Sequence, residues 1–179
     1  MILNKEDYKE INEYIFKFGK DERIKKIEKG IIKSKDASQI YFYAKNVESA
    51  DVKTLQKAII KTKDAEYIYC FARDVVDADI KSLQKAIIKL GKAEQIFHFA
   101  LYVKHADIKA LQDAIIKTGS AEYIYYFALN VKGADIKALY NAIVNTENVI
   151  YIGAFEDKIL SKIKEKENLQ KNIDDILNR

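Results

Sequence analysis

Residues 33–144 are one 28-residue unit written four times in tandem, and this period confines the chain to architectures made by stacking like units. The copies begin at Lys33, Lys61, Lys89 and Lys117, and each approximates K-x-x-x-A-x-x-I-[YF]-x-[FY]-A-x-x-V-x-x-A-D-[IV]-K-x-L-x-x-A-I-[IV]. Neighbouring copies are identical at more than half of their positions. The pattern predicts an array rather than an enzyme with one unrepeated site.

Each unit carries two helical stripes. Ala121, Ile124, Ala128 and Val131 recur at offsets 0, 3, 7 and 10, and Ile136, Leu139 and Ile143 at offsets 0, 3 and 7, the one-sided spacing of an amphipathic α-helix. Between the stripes every copy has an Ala-Asp pair. Asp51, Asp79, Asp107 and Asp135 therefore sit where a carboxylate accepts from the first free amides of the second helix. Equivalent residues of adjacent copies stand about one helix spacing apart, ~10 Å, too far to share a metal ion. Gly91 and Gly119 fall where one unit ends and the next begins, a place for left-handed backbone, and Asp36, Asp64 and Ser120 offer caps for the following helix.

A two-helix unit of this size cannot bury its own stripe. It has to stack on its neighbours, which predicts an all-α chain: a right-handed αα-solenoid of about five to six helix pairs in a single domain over residues 1–179. Residues 1–32 read as an N-terminal cap, a degenerate pair with Ile11, Ile15 and Phe18, then Ile24, Ile27 and Ile31. The repeats are 33–60, 61–88, 89–116 and 117–144. Over 145–179, Val149, Ile152 and Phe155 begin a fifth copy that passes into a charged C-terminal cap of one or two helices, with Ile159, Leu160, Ile163, Leu169, Ile173, Ile176 and Leu177 as its apolar positions. The absence of proline and tryptophan, with six glycines mostly between segments, agrees with uninterrupted helices.

This capped αα unit resembles the short HEAT-like class of α-solenoid repeats, known from phycobilin lyases and from alkylpurine DNA glycosylases. The resemblance covers nearly the whole chain as architecture and implies a helical scaffold. It does not carry the glycosylase activity, because those enzymes use aromatics including tryptophan around an acidic catalytic residue, and this chain has neither the tryptophan nor an unrepeated acid in an apolar setting.

The net charge of +4 belongs to the array, which holds 17 basic and 13 acidic residues against 8 and 7 in residues 1–32 and 6 and 7 in 145–179. On the second helices, one outward row reads Lys53, Lys57, Lys61, then Lys81, Lys85, Lys89, then Lys109, Asp113, Lys117, and fades to Lys137, Asn141, Asn145. Gln56, Gln84 and Gln112 are expected to accompany it. Stacked rows of this kind suit a polyanion. Arginine is nearly absent, with Arg23, Arg73 and Arg179 alone, so such binding would read backbone and not bases.

The outward positions of the first helices differ. They read Phe42, Lys45, Asn46; Cys70, Arg73, Asp74; His98, Leu101, Tyr102; and Tyr126, Leu129, Asn130. His98, Leu101, Tyr102, Tyr126 and Leu129 form an aromatic and aliphatic strip with the composition of a protein-contact surface, and a protein partner is expected there. Nucleic-acid backbone binding by the lysines is the alternative, and a small inhibitor docking on a nucleic-acid enzyme would unite the two. The Ile/Lys/Asn/Tyr-rich vocabulary fits a phage or bacterial gene.

Tyr69 with Phe71 and Tyr125 with Phe127 read as core. Tyr67 and Tyr123 lie further out, where they could stack on bases. His98 and His105 lack metal-ligand spacing, there is no phosphate loop, and Cys70 occupies a position that other copies fill with Phe, His or Tyr, so no catalysis and no cofactor is expected. The start of the chain lacks a basic region followed by an apolar stretch, and no apolar run reaches the ~20 residues of a membrane span, so a cytoplasmic protein is expected.

Overall fold

Valine just after one helix and aspartate just before the next recur every 28 residues in the computed structural model, which describes residues 2–177, with side chains through Lys171. Two compact units divide it, 1–107 and 108–179. All regular structure among the described residues is helical.

The first unit contains Lys5–Phe18 (α1), Glu22–Ser34 (α2), Ala37–Asn46 (α3), Val52–Thr62 (α4), Ala65–Asp74 (α5), Ile80–Leu90 (α6) and Ala93–Tyr102 (α7). α3, α4 and α5 each pack on their successor and on the helix after that, and α6 packs on α7, so α3, α5 and α7 make one layer while α4 and α6 lie in the other. α2 packs on α3, and α1 joins through the Asn12 amide, which donates to the Asn46 carbonyl at 2.6 Å and accepts from the Glu48 N–H at 3.2 Å. This is the stacked-pair arrangement of an α-solenoid.

The second unit contains Ile108–Thr118 (α8), Ala121–Asn130 (α9), Ile136–Val144 (α10), Val149–Phe155 (α11), a π-helical turn Glu156–Leu160, and Ser161–Leu177 (α12). Here α8 packs on α9 and α10, and α9 on α10 and α11. The first helix of the fifth copy does not turn back as its predecessors do. Ile163 stands where the turn aspartate would be, Lys162 where the alanine would be, and the following Lys/Glu-rich stretch favours helix, so the chain continues through the π turn into one long helix. Phe155 is fully buried and Ile152 half-buried in register with the repeats, whereas Val149 is exposed. Ile173, Ile176 and Leu177 lie outside the residues whose side chains are described.

The core is as periodic as the sequence. Tyr43, Phe71, Phe99, Phe127 and Phe155 are fully buried, as are Leu55, Leu83, Leu111 and Leu139 and the isoleucines four residues after each of these leucines. Tyr69 and Tyr125 are buried beside them. In the N-terminal pair Ile11, Ile24 and Ile31 are buried, but Phe18, expected in the apolar stripe, is exposed and stacks on Tyr14 at 5.0 Å between ring centres. It lies at the last residue of α1.

The turns use three local devices. Asp51, Asp79 and Asp135 accept from the amides of Thr54, Ser82 and Ala138, and Asp36 and Asp64 cap the first helices in the same way, but Ser120 makes no side-chain cap, contrary to expectation. Its backbone N–H is instead held by the Thr118 hydroxyl at 3.3 Å. That hydroxyl belongs to a series that sequence reading passed over: Ser34, Thr62, Thr118 and Thr146 each donate to the carbonyl three residues back and accept from the amide two residues on. Left-handed backbone follows at Lys35, Lys63, Gly91, Gly119 and Glu147, as predicted for the two glycines.

Candidate polyanion interface

The residues of the second-helix row are sorted by the structure into a structural set and a free set. Gln56, Gln84 and Gln112, expected beside the lysines on the surface, are buried. Each sits next to a stripe leucine, and its amide reaches forward 23 residues to the turn of the following repeat. The Gln84 carbonyl oxygen accepts from the Asp107 N–H at 2.8 Å while its NH2 donates to the Asp107 carbonyl at 3.2 Å, and Gln56 holds Asp79 at the same distances. Gln112 accepts from the Asp135 N–H at 2.7 Å.

A residue with one donor and one acceptor on the same flat group is what a backbone N–H and C=O pair requires, which explains the choice of glutamine. The N-terminal pair has Glu28 instead. Its carboxylate accepts from the Asp51 N–H at 3.1 Å but cannot donate, and Lys20 ties the turn in another way, binding both Glu28 at 2.9 Å and the Ser49 carbonyl at 2.8 Å. At the fourth repeat Tyr140 replaces the glutamine and donates to Glu156 at 2.6 Å, and the regular series ends there.

With the glutamines turned inward, the lysines are the charged residues that α4 and α6 themselves present outward. Lys53, Lys57 and Lys61 on α4 and Lys81, Lys85 and Lys89 on α6 are all exposed, and neither helix contains an acidic residue. Subtracting one period from the α4 set lands on Lys25, Lys29 and Lys33 of α2, also exposed. This third column was missed in the sequence because residues 1–32 match the repeat poorly in their apolar positions, yet the spacing of 28 was enough to find it. The first unit thus presents nine lysines in three columns of three. Side chains four residues apart on a helix lie ~6 Å apart, and packed helices ~10 Å, so the columns form a two-dimensional lattice of charge.

Among the described residues, one of the nine is in an ion pair: Lys25, with Glu22 at 2.8 Å. Asp51 and Asp79 are engaged at helix starts, and their hydrogen bonds, led by those from the Thr54 and Ser82 hydroxyls, hold both carboxyls below the usual carboxylate range, while exposed Asp77 lines the groove between α4 and α6. Lys33, Lys61 and Lys89 lie in the last turns of their helices, where the helix dipole favours a cation. The six lysines of the first two rows have no such local reason. Shallow grooves separate the columns: about 490 Å³ between α2 and α4, lined by Lys35, Lys57 and Lys61 among others, and about 370 Å³ between α4 and α6, lined by Lys53, Lys57 and Asp79. Lys109 and Lys117, the remaining lysines of the predicted row, are exposed on α8 of the second unit, on either side of exposed Asp113.

The first-helix layer has a different character. In α3 and α5 the outward positions are closed by a charged network: Asp74 accepts from Tyr41 at 2.5 Å, from Lys45 at 3.0 Å and from Arg73 at 2.7 and 2.9 Å, and Arg73 also donates to Tyr69 at 2.9 Å. Arg73, with desolvation opposed and Tyr41 and Lys45 adding to it, holds the Asp74 carboxyl well below its ordinary range. In α7 the same positions carry His98, Leu101 and Tyr102. His98 is half-buried between the rings of Tyr69 and Tyr102, at 5.8 and 5.9 Å, Leu101 is half-buried, and Tyr102 is 56% exposed. In the second unit Tyr126 is half-buried against Tyr125 and Leu129 is 42% exposed. The predicted strip therefore exists as two parts, one in each unit.

Tyr67, considered as a stacking platform, lies half-buried in a groove of about 510 Å³ with Tyr8 and Phe42, among the first helices and away from the lysine columns. Burial pushes the Cys70 thiol up to about 11, the direction opposite to that of an activated cysteine. Among the described residues no three His, Cys, Asp or Glu side chains converge as a metal site, and no helix is long and apolar enough to cross a membrane. Comparison of the chain with protein-family models, with curated proteins and with solved structures gives no match.

Proposed function

We propose that this chain is a non-catalytic α-solenoid binding module of the HEAT-like kind, whose second-helix lysines hold a nucleic acid by its backbone without regard to sequence. The observation that carries this reading is the lattice on α2, α4 and α6: nine exposed lysines in register, with eight outside any ion pair among the described residues. A solubilising surface is normally a mixture of both signs, whereas α4 and α6 expose cations without acids. Near absence of arginine supports contact with phosphates rather than with base edges.

The test is binding of random-sequence DNA and RNA at rising salt. Neutralising about six phosphates should cost on the order of 10³ in affinity between about 50 and 200 mM salt. The combined substitution Lys53→Glu, Lys57→Glu, Lys81→Glu and Lys85→Glu should abolish binding with helix content unchanged by circular dichroism. Absence of binding at low salt would refute the reading.

A second reading rests on Tyr102. An exposed ring beside Leu101 and His98 suits the anchor of a protein contact, and the same chain could bring a protein and a nucleic acid together through its two layers.

A further inference from the structure

The ligand class of the lysine face can be narrowed, resting on the reading just given: we infer that the face takes double-stranded DNA in preference to single strands. Three observations converge on this. The first is what α2, α4 and α6 lack. None of the three helices contains Phe, Tyr, Trp or His, so no ring stands among the lysines for an unstacked base to lie on. Proteins that hold single strands gain ~1–3 kcal/mol per base from such stacking, and this face offers none of it. The aromatic groove of Tyr8, Phe42 and Tyr67 belongs to the first-helix layer and cannot serve the lysines as a platform.

The second observation is dimensional. Each column runs for eight residues of helix, ~12 Å, and three columns at ~10 Å intervals make a patch ~20 Å across. A single strand supplies one line of phosphates and can satisfy one track through such a lattice. A duplex supplies two lines, one on each side of a groove that in B-form DNA is ~12 Å wide, and so can engage neighbouring columns together. The third observation concerns the hydroxyl that marks RNA. Double-stranded RNA is recognised in part through its 2′-hydroxyls, and the amides best suited to them on this layer, those of Gln56 and Gln84, are buried and committed to Asp79 and Asp107. What remains on the face is charge, which favours the two phosphate lines of a duplex over the one of a single strand and offers nothing that reads the 2′-hydroxyl.

The test compares one random-sequence DNA duplex, each of its separated strands, and an RNA duplex of the same sequence, by fluorescence anisotropy with the full chain across the salt range above. The DNA duplex should bind about 10-fold more tightly than either strand at equal phosphate, with a log–log salt slope near −5 if about six lysines engage. The triple substitution Lys29→Glu, Lys57→Glu and Lys85→Glu, one lysine per column, should weaken duplex binding by about 100-fold or more. The triple substitution Lys162→Glu, Lys164→Glu and Lys166→Glu on α12 changes net charge equally and should alter binding by less than about 3-fold. Equal or tighter binding of a single strand or of the RNA duplex overturns the DNA inference and leaves the lysine-face reading standing. If the α12 variant loses as much as the face variant, or if nothing binds, the lysine-face reading itself fails. Circular dichroism of both variants separates loss of the face from loss of the fold.

Discussion

Gln84 shows how much a single side chain decides in this chain. Its amide meets both backbone groups of Asp107, and a leucine of similar size would remove both of these hydrogen bonds at once. Gln84→Leu should therefore cost about 1–3 kcal/mol, or roughly 2–12 °C in melting temperature, while Lys85→Ala one residue later should change stability by less than about 0.5 kcal/mol. Urea denaturation of the two variants checks the contrast. The sequence placed Gln84 beside the lysines by helical phase, and phase was right about angle: the residue stands at the edge of the stripe. What phase could not say is that the turn of the following repeat comes within reach there, because that contact is made 23 residues away. The clue was present in the exception, since Glu28 is paired with a lysine at Lys20 where the regular copies need none.

At the scale of the element, helix boundaries were legible where a residue supplies a local cause. Asp36, Asp51, Asp64, Asp79 and Asp135 stand at helix starts, and Gly91 and Gly119 at the left-handed ends, where their chemistry puts them. Less legible were the boundaries at which the repeat signal is replaced by something equivalent, such as the threonine hydroxyls, or removed, as in the fifth copy, where the missing Ala-Asp pair turns an expected helical hairpin into one continuous helix. The left-handed position after each second helix offers a test of this local bookkeeping. Lys63 adopts φ +61° there, and Gly91 adopts φ +67° with open space around it. Left-handed backbone costs a non-glycine residue ~1 kcal/mol, so Lys63→Gly should raise stability by about 0.5–1 kcal/mol, read as a higher urea midpoint with an unchanged slope. The same logic makes Gly91→Ala destabilising, although nothing lies near the added methyl.

At the scale of the whole molecule, the fold class followed from the period, and the lysine columns followed from it as well once the degenerate N-terminal pair was counted in register. The protein-contact strip was harder to read, because burial of His98 depends on how the rings of Tyr69 and Tyr102 close over it. The glutamine clamp adds something at this scale that no single repeat contains. Removing residues 57–84 would bring Gln56 into the place of Gln84, facing Asp107, and would leave every turn held. The shortened chain should fold with helical content per residue unchanged by circular dichroism, and a deletion of any length that is not a multiple of 28 should not. With one column of three gone, the magnitude of its salt slope on duplex DNA should fall by about one third. Because the clamp always spans the same 23 residues, a duplication or loss of one unit in the gene yields another working chain, and the area of the charged face becomes a quantity that evolution can change in whole steps without redesigning any residue.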